Sequence, residues 1–161
     1  MRSGFTFVEL LVTMSIMVLL AMLTLPLALT GDQGRADATA RILAGDLEHA
    51  QVLALSRPDL RVALLIDADG TGWSIVDADH PGTPLMDQLD DTHAGRSLRT
   101  VLGKGRAAVS EDVLVTPSGQ LLVFTSLGGL EVRTPQLQAS MGEATATLLV
   151  DADTGFAMRI D

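Results

Sequence analysis

Apolar residues run almost without interruption from Phe5 to Leu29, a stretch of 25 residues in which Glu9 is the only formal charge. As a helix rising ~1.5 Å per residue it would reach roughly 37 Å, enough to cross a bilayer with some tilt. The pattern then changes. Across RADATARILAGDLEHAQVLALSRPD, the residues Ala36, Ala40, Leu43, Leu47, Ala50 and Ala54 recur at alternating spacings of four and three, which predicts an amphipathic helix with one apolar stripe. Asp37 and Arg41 lie four apart on its outer face, where they can pair. Pro58 should end the helix at or just before Arg57. A helix from Phe5 to Ser56 would be roughly 78 Å long, so its C-terminal half is expected to pack on a domain and its N-terminal half to lie in lipid or a filament core.

Beyond Pro58 the pattern shortens to strand-like runs separated by turn residues. RVALLID and WSIVD flank Ala68-Asp69-Gly70-Thr71-Gly72 and predict a hairpin. DVLVT and QLLVFT around Pro117-Ser118-Gly119 predict a second, and ATATLLVD and FAMRID around Ala152-Asp153-Thr154-Gly155 a third. Weaker strand candidates are Leu98–Leu102, Ala107–Val109 and Leu130–Arg133. Residues 79–95, DHPGTPLMDQLDDTHAG, read as an exposed loop because of their prolines and aspartates. The pattern alone therefore gives one helix plus six to nine strands.

Composition narrows the function classes. A net charge of −9 argues against a general nucleic-acid binder, which needs a basic face to neutralise phosphates. The absence of cysteine excludes disulfides, thiol nucleophiles and zinc-finger spacing. Five aromatic residues (Phe5, Phe7, Trp73, Phe124 and Phe156) are too few for a base-stacking platform.

The charge inside the first apolar run needs an explanation, because an ionisable residue within a membrane span usually marks function. A secretory signal peptide has a shorter apolar core, and a plain anchor, which Arg2 would orient with its N-terminus in the cytoplasm, leaves Glu9 unexplained. Gly4-Phe5-Thr6-Phe7-Val8-Glu9-Leu10-Leu11 resembles the class III signal of type IV pilins and type II secretion pseudopilins. The resemblance implies cleavage by prepilin peptidase between Gly4 and Phe5, N-methylation of Phe5, and a Glu9 carboxylate that pairs with the new ammonium of a neighbouring subunit. It also implies a helix that bends at Pro26 and continues. The competing reading, a helix that ends on leaving the membrane, fits Gly31 and Gly34.

The second half of the chain resembles the H-type minor pseudopilins (the GspH/FimT family) in the run ARILAGDLEHAQVLALSRPDLRVAL, the DGTGW turn and the closing LLVDADTGFAMRID. The fold implied is α+β, with a long N-terminal helix, transmembrane and then amphipathic, on an antiparallel β-sandwich head. Residues 1–4 would be the leader, 5–29 the transmembrane or filament-core helix, 30–57 its amphipathic continuation and 58–161 the head. The function implied is a non-catalytic minor pseudopilin of a type II secretion system, anchored once in the bacterial inner membrane with its head in the periplasm. Its expected partners are other pseudopilins or pilins through the N-terminal helix, the prepilin peptidase, the inner membrane and exported proteins. A type IV minor pilin serving assembly, adhesion or DNA uptake is the near alternative. An uncleaved membrane-anchored binding domain is the alternative from another class.

Other chemistry is thin, and no cofactor is expected. Asp67–Asp69, Asp77–Asp79 and Asp151–Asp153 each sit where a strand meets a turn, where aspartate caps backbone N–H groups. A calcium site at Asp67 and Asp69 is the lesser reading, because the glutamate of an EF-hand loop is missing. His49 is expected on a solvent-facing helix surface, and His80 and His93 flank the acidic loop. No serine sits in a nucleophile elbow, and Gly103–Arg106 lacks the rest of a P-loop. Arg96, Arg99, Lys104 and Arg106 are four basic residues within eleven with no acid among them. They suit a protected strand edge or, more sharply, a docking patch for an acidic partner or DNA.

Overall fold

The computed structural model describes residues 7–29, 31–87, 95–132 and 135–160, and for 21–29 the backbone alone. The chain divides into two compact units, Met1–Asp32 and Gln33–Asp161. The first contains helix α1 (Phe7–Leu29). Helix α2 spans Gly31–Ser56, so the long expected helix is described as two, with Thr30 outside the described residues. Pro58 does its predicted work: α2 stops at Ser56.

The predicted apolar stripe on α2 is the helix's packing face. Ala36, Ala40, Leu43, Leu47, Ala50 and Ala54 are all buried, and the fully buried Leu43 and Leu47 are worth about 1.5–3 kcal/mol each. Asp37 pairs with Arg159 at 3.1 Å and accepts a hydrogen bond from Gln33 Nε2 at 2.9 Å, rather than meeting Arg41 as local spacing suggested. A partner from the far end of the chain takes the place of the one a turn away.

Two antiparallel sheets complete this unit. The first holds β1 (Val62–Ile66), β2 (Gly72–Asp77), β3 (His80–Pro84), β4 (Arg99–Val101) and β6 (Leu121–Val123). The second runs in the order β5 (Leu114–Thr116), β7 (Gln136–Met141), β8 (Ala144–Val150) and β9 (Ala157–Ile160). The main core gathers the α2 stripe with Val62, Leu64 and Ile66 from one sheet and Leu137, Leu148 and Val150 from the other. Strand alternation sends Ala63 of β1 to the opposite face, where it packs with Val76 and Val123 in a smaller cluster. Both faces of β1 are covered, which is why it reads as a nearly continuous apolar run.

The first and third predicted hairpins form, β1 with β2 and β8 with β9. The second does not. β5 pairs with β7 in one sheet and β6 with β1 in the other, so Pro117-Ser118-Gly119 carries the chain between sheets. Gly119 N–H donates to the carbonyl oxygens of Ile66 and Asp67 (3.1 and 3.2 Å), and Val115 N–H donates to Gly70 O at 2.9 Å, tying this crossover to the β1–β2 turn. Gly70 is required there twice over. Its φ is +71°, and a Cβ would come within 2.7 Å of Val115 O.

Two further expectations are corrected. Ala107–Val109 belongs to a 3₁₀ helix over Gly105–Ser110 and not to a strand. The positive φ of Gly103 and Gly105 breaks the extended run, and Ala107 N–H bonds locally to Lys104 O at 3.0 Å. The expected loop 79–95 begins with strand β3, which pairs with β2. The segments either side of 88–94 then zip together through Leu98 N–H to Leu85 O and Asp87 N–H to Arg96 O, both at 2.8 Å. Residues 88–94, His93 among them, lie outside the described residues. Leu98–Leu102 does contain a strand, β4, and Leu130 makes an isolated bridge to Phe124, while Arg133 is not described.

Candidate functional site

Two places carry chemistry that a simple core does not need. The first is α1. Its large apolar side chains from Phe7 to Leu20 are each at least half exposed, and they point to every side of the helix. A helix apolar all round is normally buried in a large core or in lipid. The only hydroxyls in this part are turned back on the helix, with Thr13 Oγ1 donating to Leu10 O at 2.9 Å and Ser15 Oγ to Leu11 O at 2.8 Å. That arrangement hides polarity from an apolar environment. Glu9 is exposed in the first turn, where the helix dipole also favours a carboxylate. The helix continues through the position of Pro26 to Leu29. Gly4 and Phe5 lie outside the described residues. Among the described residues no helix is long and apolar enough to cross a membrane.

The second place is built around Asp46. The residue is only 5% exposed, and its carboxylate accepts hydrogen bonds from Trp73 Nε1 at 2.7 Å and Thr100 Oγ1 at 2.8 Å. Arg106 Nη2 adds an ion pair to the same oxygen and also contacts Thr100 Oγ1. A buried carboxylate would be costly alone; here three donors meet it, one of them the Arg106 cation. The sequence analysis passed over this residue. A signal was present: Thr39, Asp46 and Leu53 lie seven apart beside the apolar stripe, and all three are buried.

Beside Asp46 lies a cavity of about 170 Å³. Its polar lining comes from α2 (Asp46, His49), the paired segments around 88–94 (Asp87, Arg96, Ser97), β4 (Arg99) and the 3₁₀ helix (Arg106). His49 is half-buried, with its Nε2 buried and lacking a hydrogen-bond partner among the described residues, which corrects the solvent-facing expectation. The position follows Asp46 by one helical turn and so faces the same way.

The four-residue basic cluster is thus distributed. Arg106 is held by Asp46, and Arg99 Nη2 pairs with Asp67 at 3.0 Å. Arg96 lines the cavity, and Lys104 stands outside it. Two of the four charges are met by carboxylates of the same unit, which reduces what is left for a polyanion.

The aspartate triplets serve turns. Asp69 accepts from Thr71 N–H at 3.0 Å, Asp77 from Asp79 N–H at 3.1 Å, and Asp151 from the N–H groups of Thr154 and Asp153 at 2.8 and 3.0 Å. These hydrogen bonds stabilise the ionised forms and hold all three carboxyls below the usual aspartate range. With Asp67 on Arg99 and Asp69 on its own turn, the pair weighed for calcium is committed elsewhere. Arg61 bridges Glu131 at 3.0 Å and Asp79 at 2.9 Å, and the hydrogen bond to Glu131 foremost raises its pKa.

No protein-family model and no curated protein sequence matches this chain. Solved structures do. The type IV minor pilin FimU of Pseudomonas aeruginosa PAO1 superposes with a TM-score of 0.52 at 16% identity, over 80% of this chain and 90% of that one. The minor pseudopilin EpsH of the Vibrio cholerae type 2 secretion system gives a TM-score of 0.52 at 15% identity, over 78% and 96%. The fold is pilin-like. It meets the expectation of an α+β chain with a helix packed on antiparallel sheets.

Proposed function

We propose that this chain is a non-catalytic minor subunit of a pilin-like filament, anchored through its N-terminal helix in the inner membrane before assembly. In this reading prepilin peptidase hydrolyses the Gly4–Phe5 peptide bond and the freed Phe5 amine is methylated. Glu9 then pairs with the N-terminal ammonium of an adjoining subunit as the helices pack. A carboxylate in an apolar layer is expensive unless neutralised, so each added subunit is drawn to the one position where both charges are met. Pro26 would let the helix bend while it packs.

The observation that carries this reading is the described part of α1. It exposes large apolar side chains all round, folds its hydroxyls inward and keeps one carboxylate near its start. The pilin-like fold of the chain supports it. The leading host is a type II secretion pseudopilus, with exported proteins as further contacts of the head. A type IV pilus is the alternative, and the likeness to FimU and to EpsH is equally strong.

Intact-mass analysis of protein extracted from membranes tests the proposal. The expected species lacks residues 1–4 and carries one added methyl on Phe5. Retention of the first four residues on assembled material would overturn it and favour an uncleaved, membrane-anchored binding domain. Deletion of the gene separates the hosts: trapped periplasmic cargo marks the secretion machine, and loss of surface fibres marks the pilus.

A further inference from the structure

The cavity beside Asp46 is unneeded by the filament reading, since packing of N-terminal helices makes no use of it. Its guanidiniums are hydrogen-bond donors only. Arg106 is answered by Asp46 and Arg99 by Asp67, whereas Arg96 has no ion-pair partner among the described residues. His49, on the same wall, holds a buried Nε2 without a hydrogen-bond partner among the described residues, and an unsatisfied buried polar atom is costly enough to call for one. Asp46 offers little to a cation, because its carboxylate already accepts from Trp73, Thr100 and Arg106. At about 170 Å³ the space is roughly tenfold what a single water needs, yet too small for a sugar chain or an extended peptide.

We propose that this cavity binds one small oxyanion, a carboxylate or a phosphate, held chiefly by Arg96. Arg99 and Arg106 bound the site, each with its charge already met by a carboxylate. Their own carboxylate partners fix both guanidiniums in place, so little side-chain freedom is lost when the anion enters. His49 closes the α2 side, where the anion or a water bound to it supplies the missing hydrogen-bond partner. A carboxylate would come from an acidic side chain or chain terminus of another protein; a phosphate would be free in solution.

The full chain in detergent micelles, labelled with ¹⁵N at arginine and histidine, provides the test. Sodium phosphate and sodium acetate are titrated separately at constant ionic strength, with chloride as the balancing anion. Saturable shifts of the Arg96 Nε–H and His49 ring signals are expected with at least one of the two, and which one saturates at lower concentration identifies the source. Arg96→Gln should weaken that binding at least tenfold, the ordinary cost of one charge-assisted hydrogen bond. Lys104→Gln, outside the cavity, should leave it unchanged. Shifts that do not saturate, that chloride reproduces, or that survive Arg96→Gln would overturn the proposal. Arg96→Gln removes no ion pair seen among the described residues, so loss of binding with an unchanged melting temperature separates the site from misfolding. The outcome does not depend on whether the chain polymerises.

Discussion

Helices α1 and α2 are similar in length, 23 and 26 residues, and opposite in how they use apolar side chains. On α2 most apolar positions form one stripe that the chain's own sheets bury, with Val52 and Leu55 left half exposed. On α1 they go all round, and the described ones remain exposed. The first pattern is complete within the molecule. The second is a demand on something outside it, which lipid or neighbouring helices would meet. A residue's contribution should therefore register as stability in α2 and as assembly in α1.

The sharpest way to break this contrast is Glu9→Ala. Filament incorporation should be lost altogether while membrane extraction and the melting temperature of the chain stay unchanged; normal incorporation on cross-linking would remove the role given to Glu9. Next in size is Asp46→Ala on α2, which leaves the buried donors of Trp73 and Thr100 without their acceptor. Chemical denaturation should show a loss of about 2–4 kcal/mol, held below the cost of a stranded buried charge because Arg106 can turn to solvent. Leu47→Ala should cost about 2–5 kcal/mol through the cavity it opens. Leu11→Ala on α1 should change unfolding by less than about 0.5 kcal/mol; a comparable loss at both leucines would erase the distinction.

The smallest effect is acid sensitivity in the turns. Asp69, Asp77 and Asp151 have folded pKa values lowered by backbone hydrogen bonds. Their contribution is complete above the ordinary aspartate value of about 4 and disappears as pH falls through the lower folded values. Melting temperature should decline across that interval, and Asp151→Asn should flatten the decline. A pH-independent melting temperature below 4 would count against these caps.

Local signals were enough for elements whose cause is local. The α2 stripe, its stop before Pro58 and the two tight hairpins were legible because period, proline geometry and turn residues act within a few positions. The hairpin expected at Pro117-Ser118-Gly119 failed for the complementary reason. Strands and turn were all present, but β6 found β1 and β5 found β7, and nothing nearby in the chain marks that choice. Strand β7 was missed altogether, although its QLQASM sequence alternates polar and apolar residues as a half-buried strand does.

The candidate site follows the same division. The exposed apolar run of α1 and the place of Glu9 in its first turn were readable from residue types in order, since an isolated carboxylate in an apolar run is costly wherever the chain folds. The cavity was not. Arg96, Arg99 and Arg106 looked like one basic run, yet their surroundings are set by Asp46, Asp67 and His49, which lie far away in sequence. Periodicity and turn residues by themselves determined helix α2 and the strands of the two tight hairpins, and which segment carries an unmet apolar surface. Only tertiary packing decided which strands pair, which charges neutralise each other and which guanidinium is left over, because those outcomes depend on distances between residues that the linear order leaves unspecified.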